Sequence, residues 1–150
     1  MLRTLGSATA TLLLLVAILP ADGSDVSLCS LLREPKAYSG REVTLTAGYR
    51  VGFEWQELAC ATCNATQRVW VEFDTGAKGA RKLGKFTGKF DSLFRVRVRG
   101  LISERGHYGH SNGYGYQFLV REVLSAERVW QMTPRQPTVP ASVELEVCRP

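Results

Sequence analysis

The stretch that decides the fold is FRVRVRGLISERGHYGHSNGYGYQFLVREVLSAERVW, residues 94–130. It opens with strict alternation: Phe94, Val96 and Val98 point one way and Arg95, Arg97 and Arg99 the other, as a half-buried strand requires. The pattern breaks at Gly106 into a loop holding Gly109, Gly113 and Gly115, then resumes as a β-rich run from Tyr116 to Val129. Two long strands joined by a glycine-rich loop follow from this.

Working outward, Glu42 to Val51 reads as a first strand, with Val43, Leu45, Ala47, Tyr49 and Val51 on one face and Glu42, Thr44, Thr46 and Arg50 on the other. Gly48 within it marks an expected bulge or sharp coil. Phe53 to Leu58 reads as a second strand. A third spans Arg68 to Asp74, with Val69, Val71 and Phe73 inward and Trp70 outward. Before these, DVSLCSLLR (25–33) predicts a short helix that stops ahead of Pro35. The run TGAKGARKLGKFTGK (75–89) loses all periodicity and reads as a basic connection with at most one helical turn. The tail from 132 to 150 is proline-rich and extended, with SVELEV (142–147) as an optional edge strand.

The first 24 residues stand apart. Arg3, the apolar run LLLLVAIL from Leu12 to Leu19, Pro20 and the small residues 21–24 have the layout of a cleaved secretory signal. The run is far shorter than the roughly 20 residues that cross a bilayer. A secreted or periplasmic protein is expected, with 25–131 as its β domain and no membrane anchor after cleavage; an uncleaved N-terminal anchor is the lesser alternative. In that setting Cys29, Cys60, Cys63 and Cys148 are read as two disulfides. The favoured pattern joins Cys29 to Cys60 or Cys63 and Cys148 to the one left over; the alternative pairs Cys60 with Cys63 and Cys29 with Cys148.

Charge is concentrated. Between Gly76 and Arg105 stand nine basic residues against Asp91 and Glu104, while the whole chain carries only +5. The basic character is thus a local patch that favours anionic partners. Arg95, Arg97 and Arg99, with Arg121 on the next strand and Arg68 and Trp70 on the third, could hold carboxylates or phosphates by forked hydrogen bonds. The same alternation is also what a solvated strand face displays. Tyr108 and Tyr114, interleaved with glycines, have the makings of an adaptable binding loop. His107 and His110 could share a metal ion, although two ligands are fewer than a site needs. Cys60-Ala-Thr-Cys63 has the spacing of a thiol-exchange pair but follows a strand and enters a polar loop, so a structural disulfide is expected first. Asn64-Ala65-Thr66 is a glycosylation sequon.

Five strands in this order, with an irregular link between the third and fourth, match a five-stranded Greek-key barrel of the OB-fold type. The run LLREPKAYSGREVTLTAGYRVGFEW, with Pro35, Tyr38, Gly40 and Val43 in a P-x-x-Y-x-G-x-x-V turn, resembles the opening of small exported bacterial OB-fold-like proteins. VRVRGLISERGHYGHSNGYGYQFLV is similar to their fourth and fifth strands. The resemblance implies a mainly β, OB-like barrel after a short helix, and specifies no activity. No serine sits in a nucleophile elbow and the acidic residues are scattered, which argues against a hydrolase. No cofactor is indicated. The expectation is a non-catalytic exported module that binds an anionic polymer or an envelope protein. A periplasmic metal-binding or thiol-redox accessory protein and a structural component of an envelope assembly are the alternatives. Nucleic acid suits the patch chemically, but an exported destination argues against it.

Overall fold

The computed structural model describes residues 24–63, 68–83 and 91–148. The proposed signal therefore lies outside the described residues except for Ser24, as do the sequon and Lys85 and Lys89 of the basic connection. The molecule is mainly β, with strands β1 (Ser24–Ser27), β2 (Glu42–Val51), β3 (Gln56–Ala59), β4 (Val69–Lys78), β5 (Ser92–Ile102) and β6 (Tyr116–Gln131). Short helices α1 (Leu28–Arg33), α2 (Pro35–Tyr38) and α3 (Ala141–Glu146) complete it.

The strands form one mixed six-stranded sheet in the order β1-β2-β3-β4-β6-β5, and β2 also pairs with β5. The pairings β2–β3, β3–β4, β5–β6 and β2–β5 are antiparallel. Those of β1 with β2 and of β4 with β6 are parallel. The alternating residues read from the sequence line the interior: Val43, Leu45, Val69, Val71, Val96 and Val98 are all buried in one cluster, joined by Phe118, Val120 and Val123 of β6 and by Leu28, Leu31 and Leu32 of α1. The Tyr49 and Phe73 rings meet edge to face, their centroids 6.1 Å apart.

Several expectations are corrected. The helix expected over 25–33 begins only at Leu28, because Asp25 to Ser27 pair with Thr44 to Thr46 as β1. Ser27 caps α1, its hydroxyl accepting from the Ser30 amide at 3.0 Å. Phe53, Glu54 and Trp55 leave the second strand, which runs Gln56–Ala59, for a tight turn closed by the Gly52 amide donating to the Trp55 carbonyl at 2.8 Å. The third strand continues to Lys78, and a 3-10 turn at Ala80–Leu83 follows. There the Lys82 ammonium donates to the Val123 and Leu124 carbonyls at 3.0 and 2.6 Å.

Gly48 is no bulge in the pairing of β2 with β5, whose register runs unbroken from Glu42↔Leu101 to Val51↔Ser92. Its role is close approach: a Cβ there would meet Val147 Cγ2 at 2.8 Å and the Ala59 carbonyl at 2.9 Å. The register shifts lie instead between β5 and β6, at Leu93/Phe94, Arg97/Val98 and Arg99/Gly100, where they coil the long ribbon.

The tail holds the last correction. SVELEV is helical, not an edge strand: Val143 and Val147, four residues apart, share one helix side. They join Leu93 and Trp130 in a second, smaller apolar cluster with Val139 and Met132. Leu145, which strand alternation would have turned inward with them, is 48 % exposed.

Phe118, with no exposed surface, anchors the main cluster. Phe118→Ala is expected to lower the unfolding free energy by about 3–5 kcal/mol, the cost of a large core cavity. Leu145→Ala should change it by less than about 0.5 kcal/mol. Urea denaturation of the two variants checks both.

Candidate functional site

The cysteines pair as Cys29–Cys63 and Cys60–Cys148. This is the favoured pattern from the sequence; the alternative, Cys60 with Cys63 and Cys29 with Cys148, is not adopted. The first bridge ties α1 to the loop after β3 and the second fastens the tail there. Each closes a loop long enough to contribute roughly 4 kcal/mol if its effect is on the unfolded chain. Two such bridges indicate an oxidising, extracytoplasmic environment. Among the described residues no helix is long and apolar enough to cross a membrane.

The residues singled out from the sequence fall into two sets. The first is the arginine strip on β5 and β6. Here the arginines point outward as expected, but carboxylates from distant parts of the chain stand among them. Arg97 Nη2 donates to both carboxylate oxygens of Asp25, at 2.9 and 3.0 Å. Arg99 donates to Glu122, its register partner on β6, at 2.8 Å. Arg121 lies 3.4 Å from Glu42 and 3.6 Å from Asp74. Arg95 stands in register with Glu127. The strip is thus a mixed lattice of charge rather than a uniformly basic surface. Exposed pairs of this kind contribute at most about 1 kcal/mol each.

The second set gathers where the hairpin loop after β5 meets β3 and β4. Trp70 and Tyr114 rings approach to 5.1 Å. Gly109 lies against both: a Cβ there would come within 2.5 Å of the Trp70 ring and 2.8 Å of Tyr114. With φ at +69° as well, this position takes only glycine without strain. The loop is braced by paired backbone bonds, Tyr108 amide to Tyr114 carbonyl at 2.9 Å and the reverse at 3.2 Å. The Tyr108 hydroxyl donates to the Glu104 carbonyl at 3.0 Å.

Beneath this loop is a residue that strand alternation did not single out. Glu57 is 3 % exposed, accepts from the Tyr114 hydroxyl at 2.9 Å, and has Arg68 at 3.7 Å and Arg50 at 4.0 Å. A carboxylate this buried needs such partners. Tyr114 is correspondingly pushed up to about 12, by burial first and by its bond to Glu57 second. Tyr49 is raised as well, by burial and by the charge of Glu72.

Over the same loop lies an open groove of about 620 Å³, bordered by the turn 52–55, Gln56, Trp70, Glu72, Gly109 and His110. Its tip, Phe53, is 82 % exposed. Trp70 Nε1 donates to Glu72 Oε1 at 2.8 Å, holding the indole in place. Among the described residues, the groove lining contains two carboxylates, Glu54 and Glu72, and no lysine or arginine. Of the residues expected at a site, Trp70 and His110 line it, beside Gly109, and Tyr114 packs behind Trp70. Phe53, Trp55 and Glu72 join them without a signal in strand alternation; the cue for the first two is the pair of aromatics in Gly-Phe-Glu-Trp, which fits a turn as well as a strand.

His107 and His110 are both exposed. Among the described residues, the one cluster that brings three candidate metal-ligand atoms together is Cys29, Cys60 and Cys63, whose sulfurs are all in disulfides.

Tyr114→Phe, which deprives a buried carboxylate of its donor, is expected to cost about 1–3 kcal/mol in urea unfolding near neutral pH. Because folding raises this phenol from its usual 10.0 to about 12, its stabilising share is complete below pH 10 and is lost as pH climbs toward 12. Wild-type stability should therefore decline over that interval, and the Phe variant should decline less. Comparison with protein-family models, curated proteins and solved structures finds no match for this chain.

Proposed function

We propose that the protein is an exported, non-catalytic binding module on an OB-like, five-stranded barrel, and that its ligand lies in the groove between the turn 52–55 and the hairpin loop 103–115. What supports the barrel reading is the ring of pairings β2-β3-β4-β6-β5-β2 with its parallel β4–β6 contact, the order that a Greek-key barrel of this type calls for. In such barrels the second and third strands, with the loops flanking them, form the usual binding face. Here those elements are β3, β4 and the two loops that border the groove. An export signal over 1–24 completes the reading and accords with the disulfides.

The observation that carries the proposal is the groove's chemistry. Phe53, Trp55 and Trp70 offer aromatic surface, and Glu54 and Glu72 offer acceptors, with no lysine or arginine among the described residues of the lining. Such a surface suits a ligand that stacks on rings and presents hydrogen-bond donors or positive charge. A second reading, an anionic polymer held on the arginine strip, draws on the exposed guanidinium of Arg97, with 47 % of its side chain accessible. Its ion pair with Asp25 is weak enough for a polyanion to displace.

Amide NMR spectra recorded during titration with choline, a hexasaccharide of N-acetylglucosamine, and heparin separate the two. Shifts at 52–56, 70–72 and 109–110 with either of the first two support the groove. Shifts confined to 95–99 and 121 with heparin, weakening steeply with salt, move the site to the strip. The absence of any localised shift at millimolar concentration overturns the module as proposed.

A further inference from the structure

Three sulfur atoms from two different disulfides stand together at the end of β3. Cys60 is bonded to Cys148, yet its Sγ and those of the bonded pair Cys29 and Cys63 all lie within 4.8 Å of one another. Thr62 sits between them, its hydroxyl 3.2 Å from Cys60 Sγ and 3.8 Å from Cys29 Sγ. One hydroxyl can thus donate to whichever of the two sulfurs carries negative charge. Ala61 and Thr62 are exposed and Cys29, Cys60 and Cys148 half-buried. A cavity of about 210 Å³ borders Cys60 and Cys63. Two ordinary structural bridges need no such proximity.

We propose that Cys29, Cys60 and Cys63 form a thiol–disulfide exchange site in which Cys60, once parted from Cys148, attacks Cys63. The sequence begins with an external dithiol. Its thiolate attacks Cys148 Sγ, the Cys60–Cys148 bond breaks, and Cys60 leaves as a thiolate. The second thiol of the reductant then attacks its own bound sulfur, departing as a closed disulfide and leaving Cys148 as a thiol. The Cys60 thiolate attacks Cys63 Sγ, forming Cys60–Cys63 and expelling Cys29, which takes up a proton. Attack through a thiolate is the general route for such exchange.

The dithiol loses two electrons and two protons; the protein retains one disulfide, Cys60–Cys63, and gains thiols at Cys29 and Cys148. A single reduction therefore releases both the tail and α1 from the loop after β3. Separation of the tail uncovers Leu93 and Trp130, which α3 and its flanks otherwise bury. This activity is independent of the groove and of any ligand held there.

The oxidised protein, treated with one equivalent of dithiothreitol, quenched in acid, alkylated and digested with trypsin, tests it. Val51 to Arg68 emerge as one peptide carrying both Cys60 and Cys63. The expected product is that peptide with an internal disulfide and no alkyl group, with label on Cys29 and Cys148. Label on Cys60 and Cys148, with Cys63 still linked to Cys29, overturns the proposal. In Cys148→Ser the expectation is coexistence of Cys29–Cys63 and Cys60–Cys63 forms; a thiol found solely on Cys60 counts against it. Should that variant not fold, the wild-type reduction decides alone.

Discussion

Strand β2 carries the constraint on which the rest depends: both of its edges must be hydrogen-bonded along their length. One edge is taken entirely by β5, from Glu42 to Val51. The other is divided, β1 occupying Val43 to Thr46 and β3 occupying Gly48 to Val51. A buried amide or carbonyl left without a partner costs as much as a lost hydrogen bond. The short β1 therefore completes the edge that β3 is too short to cover. The changeover falls beside Gly48, the position where Val147 and the Ala59 carbonyl come too close for a side chain. Pairing, chain crossing and tail docking thus meet at a single residue.

The long alternating runs were legible because a period of two leaves little freedom: any register that buries Val96 and Val98 must turn Arg95 and Arg97 outward. The bounds of β2 followed from local pattern and the presence of two disulfides from compartment, whereas the choice between Cys60 and Cys63 as the partner of Cys29 depended on the fold. Other features depended on partners remote in sequence. Residues 25–27 fit the start of a helix because nothing nearby shows that they would find Thr44 to Thr46. SVELEV satisfies both a strand and a helix period, and only the surface of Leu93 and Trp130 selects the helix. The carboxylates Asp25, Glu122 and Glu42 that interleave the arginine strip lie 72, 23 and 79 residues from their partners, so no window of sequence could place them.

The candidate site illustrates the same division. Glycine and tyrosine spacing marked the hairpin loop correctly, because Gly109 is fixed both by its positive φ and by the Trp70 ring above it. Glu57 escaped notice since a carboxylate on a strand ordinarily faces water. Here the phenol of Tyr114 and the guanidinium groups of Arg50 and Arg68 take the place of water around it. Phe53 and Trp55 were missed for the opposite reason: aromatic residues in alternation read as interior, yet a four-residue turn can hold them at the surface.

The spacing of the two disulfides orders the events of biogenesis. Because the chain is made from its N-terminal end, Cys29 and Cys63 are in place before any part of β5 or β6. The smaller covalent loop can thus shut around β2 and β3 while half of the sheet is still unmade. Cys60 must stay unmatched until eighty-eight further residues have followed. During that interval Cys60 is the unpaired cysteine beside a bridge that can already have closed.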